Sequence, residues 1–260
     1  MVNPEIYINL PYSLWEKYAE EVRIQPINLE IFFDSEDLDK GDFRFIPEIA
    51  DLMGKGRKIT YHGPYEDLNP GSKDAKIRDV FFQRMQQLLN LAKEIPPKII
   101  VVHPGLNDLG LEDTPDRWIQ RSAESWSEVM EISEGSGILF ALENIYERKP
   151  DRLVDLIERV NHQRFKSCFD IGHFNVCSQT PLDIWLDHLG PYLVELHIHN
   201  NYGLSDDHFG MTSGTVDFPS LFDELQRREL DPVITLEPHS LQGVKDSVMF
   251  LTHFFSQSSV

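Results

Sequence analysis

The chain has 260 residues, of which 41% are hydrophobic and 26% charged, and this composition predicts a folded globular protein. Its formal net charge of −19 opposes binding to nucleic acids, because phosphate backbones are bound by clustered Lys and Arg. No apolar run approaches the roughly 18 residues that cross a bilayer, and no export signal is visible. We therefore expect a cytoplasmic protein that binds neither membranes nor nucleic acid.

Short apolar runs alternate along the chain with polar stretches of helical spacing, which is the pattern of strand-helix units around a parallel sheet. In chain order, the predicted strands are Ile6 to Leu10, Ile27 to Phe33, Lys58 to Tyr61, Ile99 to Val102, Ile138 to Leu142, Phe165 to Phe169, Leu193 to Ile198 and Val233 to Leu236. Eight such units take about 250 residues. Residues 1–260 therefore predict one domain of the α/β class, a single (β/α)8 TIM barrel.

Helical periodicity is clearest from Ser72 to Ile95. The apolar face of this predicted helix carries Val80, Phe81, Leu88, Leu89 and Ala92. Other helices are predicted to begin near Ser13, Phe43, Thr114, Asp151, Pro181, Phe218 and Leu241. Thr114 and Thr180 each precede a proline, a pattern that predicts a capping hydroxyl at the start of a helix.

Side chains that can bind metals stand at the end of nearly every predicted strand from the third onward. The candidate ligands are His62, His103, Glu143, Asp170, His173, His197, Asp206, His208 and Glu237. The active sites of TIM barrels are built at these carboxyl ends of the strands. Mixed nitrogen and carboxylate donors suit zinc, manganese, iron or cobalt better than calcium. The sequence therefore predicts a divalent-metal site at these strand ends, and the donor types alone do not choose among these metals.

Several roles stay open at this stage. Because side chains alternate along a strand, His197 and His199 face the same way, and either could be the ligand from the seventh strand. His173, His199 and Tyr65 are candidates for substrate binding. Surface positions are predicted for His162, His188 and His253. Cys168 and Cys177 are predicted to be reduced and to serve as packing residues.

The ordered series HGPY, VVHPG, LEN, FDIGH, HIHNN, DDH and TLEP, from His62 to Glu237, resembles the xylose isomerase-like barrel superfamily. This superfamily holds sugar isomerases, epimerases and the endonuclease IV family. Resemblance to endonuclease IV implies that all nine candidate ligands bind three zinc ions. Resemblance to the ketose epimerases implies one metal on Glu143, Asp170, Glu237 and either His197 or His199, with the two glutamates also serving as acid and base. The expected cofactor is thus one to three divalent metal ions, with zinc and manganese favoured.

Two departures favour a small-molecule enzyme over a DNA-repair enzyme. Asn200 stands where the endonuclease pattern has Asp, and the intervals from Glu143 to Asp170 and from His173 to His197 are shorter than DNA-binding loops require. The leading hypothesis is a metal-dependent isomerase or epimerase of a sugar or sugar phosphate, which acts by proton transfer or hydride shift. The alternatives are an endonuclease IV-like zinc phosphodiesterase and a non-catalytic metal-binding barrel. The oligomeric state stays open.

Overall fold

Eight short strands form a closed barrel in chain order, as a computed structural model that describes residues 4–105 and 115–257 shows. The strands are β1 (Ile6–Pro11), β2 (Asn28–Phe32), β3 (Ile59–His62), β4 (Ile99–Val102), β5 (Leu139–Glu143), β6 (Phe165–Asp170), β7 (Leu193–Ile198) and β8 (Val233–Leu236). Each lies within one residue of its predicted bounds. The predicted (β/α)8 barrel is confirmed.

Helices alternate with the strands. They are α1 (Trp15–Ile24), α2 (Ser35–Lys40), α3 (Ile46–Gly54), α4 (Ala75–Leu91), α5 (Pro115–Ile132), α6 (Asp151–Val160), α7 (Ile171–Cys177), α8 (Leu182–Leu189), α9 (Phe218–Arg227) and α10 (Leu241–Gln257). Within the described residues, none of them combines the length and apolar character that crossing a membrane requires.

Two compact units can be distinguished among the described residues. The first comprises residues 4–8, 143–151 and 167–257, and the second comprises 9–105, 115–142 and 152–166. In the first unit, β6, β7, β8 and β1 pair in parallel, with Asp170 beside His197, and His197 beside Thr235. In the second unit, β2 to β5 pair in the same sense. Parallel pairing brings the carboxyl ends of neighbouring strands to one edge within each unit.

Each unit has its own buried aromatic centre. In the second unit, the Trp126 ring lies 4.9 Å from Phe81 and 5.1 Å from Phe165 between ring centroids. In the first unit, Trp185 lies 5.8 Å from Phe169. Both tryptophans are fully buried, so the helices that carry them, α5 and α8, are held to their units by large apolar side chains.

Some helix predictions need correction. The helix predicted from Ser72 is α4, on which Val80 is exposed while Phe81 is buried. Thr180 does not cap α8, because its hydroxyl donates to the Arg148 carbonyl oxygen at 3.1 Å. The other predicted cap, Thr114, lies outside the described residues.

Two helices were not predicted. The short helices α2 and α7 begin within three residues of the ends of β2 and β6. Each is too short to show an apolar period in the sequence.

Candidate active site

Four strands of the barrel end in side chains that meet inside the first unit. Glu143 closes β5, Asp170 closes β6, His197 lies near the end of β7, and Glu237 follows β8. All four are buried, and the most exposed, Glu237, shows 8% of its surface. We call these four residues the carboxylate site.

The His197 imidazole lies at the centre of the carboxylate site. Its Nδ1 atom lies 3.4 Å from Glu143 Oε1 and 3.4 Å from Glu237 Oε2. The same nitrogen lies 3.9 Å from Asp170 Oδ2. One donor atom from each of the four residues lies within 4.8 Å of the others, which is the spacing of ligands that share one ion.

The donor chemistry of the carboxylate site fits a divalent cation. Three carboxylates are buried together, and burying carboxylate charge is costly unless a positive charge compensates it. Asp170 Oδ2 is buried and has no hydrogen-bond partner among the described residues. Three oxygen donors and one nitrogen donor can hold manganese, cobalt, iron or zinc.

A second cluster, which we call the imidazole site, consists of His173, His199, Asp206 and His208. The Nε2 atoms of His173 and His208 each lie 3.1 Å from Asp206 Oδ2. His199 Nε2 lies 3.5 Å from Asp206 Oδ1. These residues also offer four donor atoms within 4.8 Å of one another, and the higher share of nitrogen suits zinc.

The imidazole rings are oriented by backbone carbonyl groups. His173 Nδ1 lies 3.0 Å from the Asn144 carbonyl oxygen, and His208 Nδ1 lies 2.9 Å from the Glu237 carbonyl oxygen. A carbonyl oxygen only accepts hydrogen bonds, so each Nδ1 atom carries a proton. The Nε2 atoms that face Asp206 are therefore the ones that can bind a cation.

Asp170 and Asn144 connect the two sites. Asp170 Oδ1 lies 3.1 Å from His199 Nε2 and accepts the His173 backbone N–H at 2.6 Å, which caps α7. The Asn144 side chain donates to the Asp170 carbonyl oxygen at 2.9 Å and accepts its N–H at 2.8 Å. This pair of hydrogen bonds between side-chain amide and backbone fixes the position of Asp170 at the end of β6.

Gly172 leaves room for His199. A Cβ atom at Gly172 would overlap the His199 ring, and the opposite face of that ring stacks on His208 with centroids 3.8 Å apart. His208 in turn stacks on His239 at 4.0 Å. The position of His199, the second histidine of the HIHNN motif, thus requires glycine at position 172 of the FDIGH motif.

The loop from β7 to α9 carries three members of the imidazole site, His199, Asp206 and His208, and buried asparagines hold its ends. Asn200 Oδ1 accepts the N–H groups of Asn201 at 2.9 Å and Val216 at 3.0 Å, while its amide donates to the Met211 carbonyl at 2.8 Å. Asn201 donates to the Gly172 carbonyl at 2.9 Å. These bonds bring Asp206 and His208 back to the strand ends.

Charge pairing shifts the pKa values of both sites. Burial acts to raise the pKa of Glu237, but the adjacent His197 outweighs burial and lowers it. Burial likewise opposes charge on Asp206 and His208. Hydrogen bonds to His173 and to His208 nevertheless lower the pKa of Asp206, and the bond to Asp206 raises the pKa of His208 to about 9. For His173, the nearby Asp170 and Asp206 outweigh burial and raise the pKa. Glu237 and Asp206 are therefore ionised at neutral pH.

Three of the predicted site residues lie in the second unit. The His62 and His103 rings are 5.1 Å apart between centroids, and Tyr65 stacks on His103 at 4.3 Å. His62 Nδ1 lies 2.8 Å from the Gly63 carbonyl oxygen. Tyr65 is 38% exposed. The second unit thus contributes an aromatic cluster of its own.

The structure assigns His197 of β7 and His199, which directly follows β7, to different clusters. His197 lies with the carboxylates, whereas His199 lies with the imidazoles. Of the nine predicted ligands, seven fall into the two clusters of the first unit, and their metal-binding roles stay predictions. The surface positions predicted for His162, His188 and His253 are confirmed.

Sequence reasoning missed three polar residues of the first unit: Asn144, Glu195 and His239. Asn144 was visible in the LEN motif and His239 in the segment after Glu237. The signal for Glu195 was an acidic residue inside an apolar run. Cys168 and Cys177 form no disulfide, and Cys168 is buried, as predicted.

Comparison with known proteins gives a family and similar folds. A family model described as xylose isomerase-like TIM barrel matches residues 29–253. The uncharacterized protein MJ1311 of Methanocaldococcus jannaschii is 25% identical over 211 residues, which cover 76% of this chain and 70% of the relative.

Solved structures share the fold along almost the whole chain. A D-tagatose 3-epimerase-like protein has a TM-score of 0.83 at 23% identity and covers 98% of this chain and 100% of its own. The TTHB071 protein from Thermus thermophilus, soaked with ZnCl2, has a TM-score of 0.80 at 24% identity, with 96% and 97% covered. An L-ribulose 3-epimerase reaches 0.73 at 19% identity, with 92% and 83% covered.

Proposed function

Since the chain belongs to the xylose isomerase-like TIM barrel family, we propose that it is a metal-dependent isomerase or epimerase that acts on a carbohydrate. The observation that carries the proposal is the buried carboxylate site, in which Glu143 and Glu237 both lie 3.4 Å from one nitrogen of His197. The epimerase names of the similar structures support the same class of reaction.

Glu143, Asp170, His197 and Glu237 would hold the cation. When bound, a divalent cation stabilises the negative charge that develops on the oxygen atoms of a sugar substrate during enolisation. The ZnCl2-soaked structure of a protein with the same fold supports a cation in this family. Zinc and manganese remain the favoured ions.

The two glutamates would carry the protons. An ionised carboxylate can remove a proton from the carbon next to the substrate carbonyl, and a second, protonated carboxyl group can return one. The lowered pKa of Glu237 keeps its carboxyl group ionised, so that it can accept a proton. Burial of both glutamates excludes water that would otherwise compete for the proton. A hydride shift between adjacent carbons is the alternative mechanism, and it requires the substrate to bind at the same place.

Substrate binding would draw on His173, His199 and Tyr65. His173 and His199 lie beside Asp170, where their rings can contact hydroxyl groups near the reacting carbons. We propose Tyr65 as an aromatic wall for the same substrate.

The proposal is tested with a panel of ketoses, including D-tagatose and L-ribulose, in D2O with protein loaded with Mn²⁺. Deuterium on the product carbon that receives the hydrogen indicates proton transfer, and conversion without deuterium indicates a hydride shift. Glu143→Gln and Glu237→Gln should each lower kcat/KM by about 10²- to 10⁴-fold. The exposed Glu94→Gln is the matched control. Failure of the loaded protein to convert any sugar of the panel would refute the proposal.

The second candidate function is phosphodiester hydrolysis by a multinuclear zinc centre, as in the endonuclease IV family. The imidazole site favours it, because His199 lies 3.1 Å from Asp170 of the carboxylate site and two neighbouring ions can activate water for in-line attack. Cleavage of an abasic DNA oligonucleotide by zinc-loaded protein, with no sugar conversion, would decide for this function. Cation binding with neither activity would support a non-catalytic barrel.

We also propose a cytoplasmic location and a single domain of residues 1–260. Two cysteines without a disulfide fit a reducing compartment. Nucleic acid stays an unfavoured partner because of the charge of −19. Cell fractionation with an antibody to the chain tests the location.

A further inference from the structure

A fourth acidic residue lies below the carboxylate site, which itself contains three. Glu195 is in β7, two residues before His197, so the two side chains leave the strand on the same face. Glu195 is 0% exposed. A buried carboxylate is costly unless it is hydrogen-bonded or paired with a positive group, so its position calls for a partner.

Glu195 is surrounded by polar groups of the first unit. Thr235 donates its hydroxyl hydrogen to Glu195 Oε1 at 2.5 Å. The same carboxylate oxygen lies 3.9 Å from His197 Nε2. Cys168, which pairs with Glu195 between β6 and β7, is also buried.

The two nitrogens of His197 therefore face different acids. Nδ1 faces Glu143 and Glu237, and Nε2 faces Glu195. A histidine that binds a cation through one nitrogen commonly presents the N–H of the other to a carboxylate, which fixes the tautomer and makes the ring a stronger donor. At His197, Nδ1 faces the proposed cation ligands, and Nε2 lies 3.9 Å from Glu195 Oε1, which is longer than a hydrogen bond but within ion-pair distance.

We propose that Glu195 is a positioning residue, which holds His197 in the tautomer that binds a divalent cation through Nδ1. The inference rests on the proposed function, because it assumes a cation in the carboxylate site. Glu195 itself does not touch the cation or the substrate. A purely structural carboxylate bound only to Thr235 would affect folding but not the affinity of His197 for the cation.

The test compares Mn²⁺ binding to wild type, Glu195→Gln and Ser167→Ala by electron paramagnetic resonance of the free ion. Ser167 is also buried in β6 and serves as the matched control. Glu195→Gln should weaken Mn²⁺ binding about 10- to 100-fold, and Ser167→Ala should leave the affinity unchanged. Unchanged affinity in Glu195→Gln overturns the inference, whereas wild type that binds no Mn²⁺ refutes the proposed function instead.

A second measurement does not depend on the folding of a Glu195 variant. ¹⁵N NMR of the histidine rings in wild-type protein loaded with Zn²⁺, assigned with His197→Gln, should show a protonated Nε2 and a cation-bound Nδ1 at His197. A cation on Nε2 would overturn the inference. Even if Glu195→Gln failed to fold, this measurement could still overturn the inference.

Discussion

Individual residues of the candidate site combine two kinds of contact. Asp170 faces the carboxylate site through Oδ2 and the imidazole site through Oδ1, while its backbone is bound to Asn144. A side chain with this many fixed contacts has little freedom to move. Such preorganisation is what catalysis by fixed charges requires.

Asn200 shows why an amide, and not the Asp of the endonuclease pattern, stands at this position. Its side chain accepts two N–H groups and donates to the Met211 carbonyl. Asn200→Asp replaces the donor with an oxygen that faces a carbonyl oxygen. We expect a loss of about 1–3 kcal/mol or more in the free energy of unfolding, measured by urea denaturation.

The control for Asn200→Asp is Asn90→Asp, which adds the same charge at an exposed position of α4. That variant should unfold at nearly the wild-type urea concentration. Equal stability of the two variants would show that the amide donor of Asn200 contributes nothing.

At the scale of elements, sequence reasoning found every strand because each is a short apolar run bounded by polar residues. The second-unit strand Ile99–Val102 is an example, with four buried residues in a row. The clustering of ligands within the first unit also followed from strand order. The assignment of His197 and His199 to separate clusters did not, because both face the same way. Their contacts separate them, since His197 lies beside Glu143 and Glu237 whereas His199 lies beside Asp206.

The course of the loop from β7 to α9 also could not be predicted from the sequence pattern. Its return to the strand ends depends on side-chain bonds of Asn200 and Asn201, and such local bonds leave no periodic signal. The position of Asp206 and His208 follows from that return.

The contact between His208 and Asp206 in this loop predicts how the stability of metal-free protein depends on pH. Burial acts to lower the pKa of His208, but the bond to Asp206 outweighs it and raises the pKa from 6.5 to about 9. A raised pKa means that the folded state holds the proton more tightly. The contribution of His208 is therefore complete below about pH 6.5 and is lost as pH rises through about 9.

The pKa of Asp206 shifts in the opposite direction. Its pKa is lowered from 3.8, so its contribution is present above pH 3.8 and is lost as pH falls further. We expect the melting temperature of chelator-treated protein to fall between pH 6.5 and 9, as measured by differential scanning calorimetry. Asp206→Asn should flatten this fall. A wild-type melting temperature that does not change over this range would contradict the pairing of His208 with Asp206.

At the scale of the whole molecule, the closed barrel leads us to propose that the chain unfolds as one domain. Urea denaturation should give one transition, with coincident midpoints from tryptophan fluorescence and far-ultraviolet circular dichroism. Trp15, Trp118 and Trp126 lie in the second unit, and Trp185 lies in the first. Trp185→Phe therefore reports on the second unit alone, and a variant with the other three tryptophans replaced by Phe reports on the first. Different midpoints for these two reporters would show that the chain does not unfold as one domain.

The central claim, that the carboxylate site binds a divalent cation, is tested most directly by metal analysis. Plasma mass spectrometry of wild type and Glu143→Ala, both purified without added metal, compares their metal content per chain. We expect at least about one divalent ion in wild type and a loss of about one in the variant, because four donors in a mixed oxygen and nitrogen set become three. Equal metal content in the two proteins, or none in wild type after reconstitution with Mn²⁺ and Zn²⁺, would contradict the claim.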